Sequence, residues 1–433
     1  MDKVSDLIAK EKKRQEGTLM MIPSENYASK AVKEAVGSVL MNKYSEGYPK
    51  RRYYQGNVVA DEVEILAEEM AKKLFKVPFV NVQPYSGSPA NAAILFALLN
   101  HGDKIMGLKL SSGGHLTHGH PDITFSGKYF SSVQFGTKDD GIIDYDEVEA
   151  LAKKEKPKLM LIGTTAYPMI FDWERLAKIA DEIGAWFVAD VSHVAGMILA
   201  GAYPSPVPFA HVVMTTTHKT LRGPRGAMIL VTQKGMKKDP ELGSKIDRAV
   251  FPGLQGGPHD NTTAGIAQAL IEADTKEFRN YGKQIVVNAK ALADELNKGG
   301  LTLVTGGTQC HLIVVDLRPQ GLSGNVVAEA LETAGIVVNR NSVPNDPSPP
   351  FYPSGIRLGT PGVTTRGMGR KEIKEIAKWI IEVVNHVKDE KLPEDKDKRA
   401  EFMRAFKAKI AKDKFLEKIA SRVKLLCKKF PMP

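Results

Sequence analysis

Between residues 60 and 275 the chain repeats one pattern: a short apolar run, a turn signal, then a stretch with apolar residues at helical spacing. The runs at 104–110, 159–163, 185–190, 211–215 and 227–231 have strand length and lie between turn-forming residues. Between them, residues 144–154 and 173–184 place apolar side chains three and four apart and open on an acidic or polar residue. Strands that alternate with helices predict an α/β domain with a mostly parallel sheet. Ligands gather beyond the carboxyl ends of such strands, so the polar residues that follow each run are the candidates for chemistry.

The chain has 433 residues, more than one hydrophobic core usually serves. A long helical stretch at 276–296 is expected to leave the large domain. A smaller α+β unit follows, with apolar runs at 301–304, 311–316 and 335–339 and a last helix near 371–387. The charged segment 388–399, which contains Pro393, reads as a linker. The expected division is an N-terminal arm (1–30), a large domain (31–275), a small C-terminal domain (276–390) and a basic helical tail (391–433). Residues 1–18 carry both signs of charge and no apolar h-region, and read as an amphipathic helix rather than a signal peptide. No run approaches the ~18 apolar residues of a membrane span. Two cysteines, Cys310 and Cys427, suit a reducing cytoplasm.

Net charge is +10, and residues 404–430 alone carry ten basic against two acidic side chains. The high pI therefore describes the tail and not a substrate preference. Phe402, Phe406 and Ile410, then Phe415, Ile419, Val423 and Leu426, recur at helical intervals along it. They are expected to pack on the small domain; the other reading is RNA or surface binding as a secondary role.

Residues 212–226, VVMTTTHKTLRGPRG, end a strand in threonines and place His218 and Lys219 in a loop rich in Gly and Pro. A lysine there forms imines if its pKa is lowered, and is otherwise a solvated loop lysine. The run AWFVA leads into Asp190, which either caps a turn or pairs with a protonated pyridine nitrogen of a pyridoxal ring. Ser86, Gly87 and Ser88 precede the helical pattern 90–99 and offer hydroxyls and backbone N–H groups to a phosphate, or simply cap that helix. In 111–120, SSGGHLTHGH, three histidines invite a metal, but the Gly-rich flanks favour a neutral His115 stacked on an aromatic cofactor. Residues 44–57 and 354–367 read as loops, with Glu46 as a proton carrier and Arg357 as a fork for a substrate carboxylate or a partner for a protein one.

Together these segments resemble the serine hydroxymethyltransferase family, in order and spacing, from residue 22 to 367. The matching stretches are IPSEN (22–26), NKYSEGYPKRRYYQG (42–56), NVQPYSGSPAN (81–91), GGHLTHG (113–119), ADVSHVAG (189–196), TTTHKTLRGPRG (215–226), VFPGLQGGP (250–258) and SGIRLGTP (354–361). The resemblance implies an aspartate-aminotransferase-like fold that binds pyridoxal 5'-phosphate, and a homodimer with shared active sites. The implied reaction interconverts serine and glycine and passes a one-carbon unit to tetrahydrofolate; whether the pterin is folate or a modified one stays open. An aldolase acting on 3-hydroxy amino acids is the alternative within the same fold.

Carried onto this sequence, the resemblance makes Lys219 the imine-forming lysine, Asp190 the partner of the pyridine nitrogen and His115 the stacking ring. His193 would lie near the cofactor's phenolic oxygen, and Thr165 stands where the family commonly has serine. Ser86, Gly87, Ser88, Thr216 and His218 would serve the cofactor, with Tyr44, Gly256 and Gly257 joining from the partner subunit. Arg357, Ser24 and His193 would hold the amino-acid carboxylate. Glu46 would move protons on the folate side, Tyr53 and Tyr54 would line the site, and Leu110, Leu116 and Asn341 would hold the pterin. Departures are small: Pro23 for alanine, Pro89 for glutamine, Ser111–Ser112 for Ala-His, and Met169 where arginine is frequent.

Overall fold

A computed structural model describes residues 2–121 and 123–433; Met1, at the head of the expected arm, and Asp122 lie outside the described residues. The chain forms two compact units. One comprises Ala28–Lys138 and Ile143–Lys283; the other comprises residues 2–27, Asp139–Ile142 and Gln284–Pro433.

The first unit is built on a seven-stranded sheet: β1 (Phe79–Asn81), β2 (Lys104–Leu108), β3 (Ser131–Phe135), β4 (Leu159–Gly163), β5 (Trp186–Asp190), β6 (Val212–Thr216) and β7 (Ala227–Val231). Spatial order is β1-β7-β6-β5-β4-β2-β3. The five strands β2 to β6 pair in parallel, whereas β7 runs antiparallel to both neighbours, which makes the sheet mixed. All five residues of β4, β6 and β7 are buried, as expected for strands covered on both faces. Edge strand β3, SSVQF, buries only Phe135 and has no apolar run to announce it. From β2 the chain steps outward to β3 and returns to β4 on the other side of β2. Connections therefore diverge between β2 and β4, and a crevice opens at such a switch point. Ile94, Leu95, Ile105, Leu161, Val188 and Ile229 belong to one apolar cluster of this unit.

The second unit holds a four-stranded antiparallel sheet of β8 (Thr302–Leu303), β9 (Leu312–Asp316), β10 (Asn339–Asn341) and β11 (Gly355–Gly359), in the order β8-β9-β11-β10. Leu19–Met20 pairs in parallel with Ile336–Val337 beside it. Residues 354–367 are not a single loop: β11 is fully buried and central, with Ile356 and Leu358 in the core and Arg357 between them. Two flanking glycines and an arginine in five residues mask the period-two pattern.

The tail does not stand apart either. Helices Lys396–Ile410 and Lys414–Lys429 send Met403, Phe406, Ile410, Leu416, Ile419, Val423 and Leu426 into the same core as β9 and β11. Leu19 and Met21 of the arm join that core too. Arm, small sheet and tail are thus one unit, because each lacks enough apolar surface to bury its own face. The N-terminal helix Lys3–Glu16 of this unit adds no buried side chain to the core, and its Val4, Leu7 and Ile8 are exposed. Among the described residues no helix is long and apolar enough to cross a membrane.

Candidate active site

Asp190 ends β5 and is buried. Its Oδ1 accepts the Ser192 main-chain N–H (3.0 Å), and its Oδ2 accepts Asn91 Nδ2 (3.1 Å) and faces His118 Nε2 (3.0 Å). The His115 main-chain N–H points at His118 Nδ1 (3.4 Å), which leaves the ring proton on Nε2, toward the carboxylate. Burial pushes the Asp190 carboxyl up, but the hydrogen bond and charge of His118, then His115 and Lys219, outweigh it and hold the group well below the usual range.

Asn91 links this carboxylate to His115. Its amide also donates to Thr117 Oγ1 (2.9 Å), and that hydroxyl lies 2.7 Å from His115 Nδ1. Thr117 N–H donates to the same nitrogen (3.1 Å), so Nδ1 is an acceptor and the proton sits on Nε2. Burial, helped by His118, pushes His115 down to about 4, and the ring is neutral near pH 7. The loop that presents it approaches the backbone so closely that only glycine fits: a Cβ on Gly114 would lie within 2 Å of the Leu108 carbonyl. Across the switch point, Thr165 N–H donates to Gly113 O (2.7 Å) and its hydroxyl to Gly114 O (2.9 Å). Leu110, Leu116 and Thr165 flank this loop and are partly exposed.

Lys219 occupies the turn between β6 and β7. Thr217 N–H donates to Gly226 O (3.1 Å), Gly223 N–H to Thr217 O (2.7 Å), and Arg222 N–H to Lys219 O (3.1 Å). Arg222 adopts φ 63° and lies over the Tyr281 ring at 4.3 Å. Thr220 Oγ1 donates to the carbonyl of buried His193 (3.1 Å), and Ser192 Oγ accepts Thr216 N–H (3.0 Å), which ties the segments after β5 and β6 together. Neighbouring His218 is pushed down to about 3 by burial and by the charges of Lys219 and Arg225. Its Nδ1 is buried without a hydrogen-bond partner.

Helix Gly87–Leu98 begins beside β6: a Cβ on Gly87 would meet Thr216 Cγ2 at 2.7 Å. Ser86 is its N-cap yet makes no side-chain cap bond, and Ser88 is exposed. Tyr85 ties this turn to the 255–259 loop, donating to Gly257 O (2.7 Å) and stacking on His259 (4.1 Å).

Glu46, Tyr44, Gly256 and Gly257 gather in one place. A Cβ on Gly256 would be 3.4 Å from Glu46 Oε1 and one on Gly257 3.7 Å from the Tyr44 ring; Tyr44 OH lies 3.3 Å from Glu46 Oε1. Tyr54 meets Tyr44 edge-on at 5.2 Å, and Tyr53 meets Phe251 at 5.8 Å. The loop is held from beneath by Arg52, which donates to Asp61 Oδ1 (2.8 Å), Glu64 Oε2 (2.6 Å) and the carbonyls of Ser45 and Gly47. Buried Ser45 adds a bond to Asp260 (2.7 Å).

In the second unit, Arg357 is buried on β11 and donates from Nε to Asn339 Oδ1 (3.0 Å). Burial pushes its guanidinium down to about 10. Asn341 ends β10, donating to the Ser342 carbonyl (2.6 Å), and Ser24 is half-buried in the segment after Leu19–Met20.

Asn91, Thr117 and His118 stand inside the matching stretches 81–91 and 113–119, but no local pattern gives them a role. His118 was visible only as one of three clustered histidines. Its separation by 72 residues from Asp190 hides the pairing from any local pattern.

Against known proteins, the family model described as serine hydroxymethyltransferase matches residues 1–380. A serine hydroxymethyltransferase of Acidothermus cellulolyticus is 55% identical over 385 residues, covering 89% of this chain and 88% of its own. That of Sorangium cellulosum is 51% identical over 431 residues, with 99% and 95% coverage. That of Desulfotalea psychrophila is 47% identical over 430 residues, with 99% and 94% coverage.

Proposed function

The chain belongs to the serine hydroxymethyltransferase family, and on that premise we propose that it interconverts serine and glycine, with tetrahydrofolate receiving the one-carbon unit and pyridoxal phosphate as cofactor. The observation that carries the reading is the ionised, buried Asp190 at a strand end, held on both oxygens and coupled through Asn91 and Thr117 to a neutral His115. Two further features fit a phosphorylated pyridine. The buried His218 Nδ1 has no hydrogen-bond partner, and the N-terminus of helix Gly87–Leu98 has a cap serine that spends no bond on its own helix.

Ser86, Gly87, Ser88, Thr216 and His218 would hold the phosphate end, with Asp190 at the ring nitrogen, His115 on the ring face, and Thr165 and His193 near the phenolic oxygen. Bound there, the cofactor supplies an electron-withdrawing ring that takes up charge from the substrate α-carbon. Lys219 would supply the amine that anchors it. Arg357, with Ser24 and His193, fixes the substrate carboxylate, and its planar fork suits bidentate contact. Glu46 moves the proton on the folate side. Leu110, Leu116, Asn341, Tyr53 and Tyr54 would line the pterin, in an aspartate-aminotransferase-like architecture.

A homodimer belongs to the same proposal. Val39, Met41, Tyr44, Tyr53, Val58 and Val59 are all exposed within one stretch of twenty-one residues, a density of apolar surface that asks for cover. A second copy would cover it and bring Tyr44, Glu46, Tyr54, Gly256 and Gly257 to the partner's crevice. A cytoplasmic location completes the reading.

The test is turnover of serine to glycine by the purified protein with and without tetrahydrofolate, alongside its visible spectrum. A visible band removed by borohydride, with the label recovered on Lys219, is expected, together with folate-dependent cleavage. Cleavage of serine at the same rate without tetrahydrofolate would make the protein an aldolase. Absence of the band would remove the cofactor assignment itself.

A further inference from the structure

The basic tail lies beyond the span that the family model matches, and its two helices begin at Lys396 and Lys414. Besides the shared apolar core, one buried side chain ties it to the segment that carries the candidate substrate site. Arg366, which follows the short helix Pro361–Thr365, is 5% exposed. A guanidinium has five N–H donors, and here five main-chain carbonyls receive them. Nε donates to Phe430 O (2.6 Å), Nη1 to Thr18 O (3.0 Å) and Gln15 O (3.3 Å), and Nη2 to Cys427 O (2.8 Å) and Glu16 O (3.1 Å). These carbonyls close the C-termini of the first and last helices, where unpaired oxygens and the negative end of the helix dipole both favour a cation.

The segment leaving that clamp is the one that carries Ser24. Leu19 N–H and Met21 N–H donate to Gly335 O and Val337 O (both 2.9 Å), and Gly359 N–H returns a bond to Met21 O (2.7 Å). Pro23 packs so closely on Gly359 that a Cβ there would meet it at 2.8 Å, and Thr365 Oγ1 donates to Asn26 Oδ1 (2.7 Å). Gly359 is the last residue of the strand that carries Arg357. The segment is therefore pinned between Arg366 at one end and the Arg357 strand at the other.

We infer that Arg366 is a positioning residue for the amino-acid carboxylate site, and that the tail helix serves this enzyme by giving Arg366 the two carbonyls that complete its clamp. The inference rests on the proposed roles of Ser24 and Arg357. It makes the tail an internal brace. Lysine cannot replace the arginine, since three donors on a point charge leave at least two carbonyls unserved in a buried place.

The experiment uses the full-length holoenzyme, Arg366→Lys, Arg366→Met and a chain ending at residue 413. Serine and tetrahydrofolate kinetics are read beside amide hydrogen exchange of Leu19 and Met21. Expected in Arg366→Lys is a serine KM raised by about tenfold, with kcat and the tetrahydrofolate KM unchanged and faster exchange at both amides. The truncated chain should match Arg366→Met in both readouts, and truncation in the Arg366→Met background should add nothing. Faster exchange with an unchanged serine KM would overturn the inference, as would a fall in kcat alone or additive effects of the two changes. Should Arg366→Met or the truncated chain fail to fold, Arg366→Lys decides by the same two readouts. A wild-type enzyme that does not turn over serine would instead defeat the proposed function, while the exchange measurement would still report on the clamp.

Discussion

His118 Nε2 and Asp190 Oδ2 lie 3.0 Å apart, the ring wholly buried and the carboxylate nearly so. Removing the histidine would leave a buried charge with one partner fewer. His118→Leu should therefore raise the Asp190 pKa and weaken pyridoxal phosphate binding by about ten- to a hundredfold. Titration of the apoenzyme with cofactor, followed by absorbance, measures this. An unchanged affinity would show that Asn91 and Ser192 suffice to hold the carboxylate.

Glu46 and Tyr44 share a contact of 3.3 Å beside Gly256. Glu46→Gln keeps the shape and the acceptor oxygen but removes the exchangeable proton. Glycine binding should survive, while folate-dependent serine cleavage falls by about a hundredfold. Near-normal cleavage with tetrahydrofolate would reassign the proton to another group.

Arg357 is buried on a strand, and burial lowers its guanidinium to about 10. Arg357→Lys keeps a cation but loses the fork, so the serine KM should rise by about ten- to a hundredfold with little change in the tetrahydrofolate KM. In the wild type the charge disappears at lower pH than for a solvated arginine. Serine affinity should fall as pH climbs through about 10, read as an increase in serine KM across that range.

His211, buried near the start of β6, has a pKa pushed down to about 4 by burial and by Lys238 and Lys234. A histidine near 6.5 when unfolded and about 4 when folded binds more protons in the unfolded chain between those values. Its contribution is complete above pH 6.5 and is lost as pH falls toward 4, by at most about 3 kcal/mol. His115 and His218 act in the same direction. His211→Asn, which keeps an acceptor for the Phe187 N–H, should flatten the fall in unfolding midpoint between pH 6.5 and 4. Parallel curves for the two proteins would contradict this.

Apolar runs located β2, β4, β5, β6 and β7 because strands buried on both faces need no alternation to be visible. Strands β3 and β11 escaped for opposite reasons. Edge strand β3 buries one residue in five, whereas β11 is wholly buried but is disguised by two glycines and Arg357. At the site, Lys219, Asp190 and His115 stood out because each follows a strand end. Asn91 and His118 could not, since their meaning lies in partners 99 and 72 residues away. The short segment Asp139–Ile142 carries no signal at all for its place in the second unit, where Asp140 O accepts the Thr305 N–H (3.1 Å).

Helix Gly87–Leu98 carries Gly87 at its first residue and Asn91 one turn later. The proposed phosphate anchor and the amide that steadies Asp190 are thus separated by four residues, about 6 Å of rise. That spacing is set by helical pitch and not by any loop, so in the proposed site the helix would act as a gauge between the two ends of the cofactor. One residue inserted between them would turn Asn91 by about 100° and slide it by about 1.5 Å. The gauge would then read wrongly at one end, however well each end was built on its own.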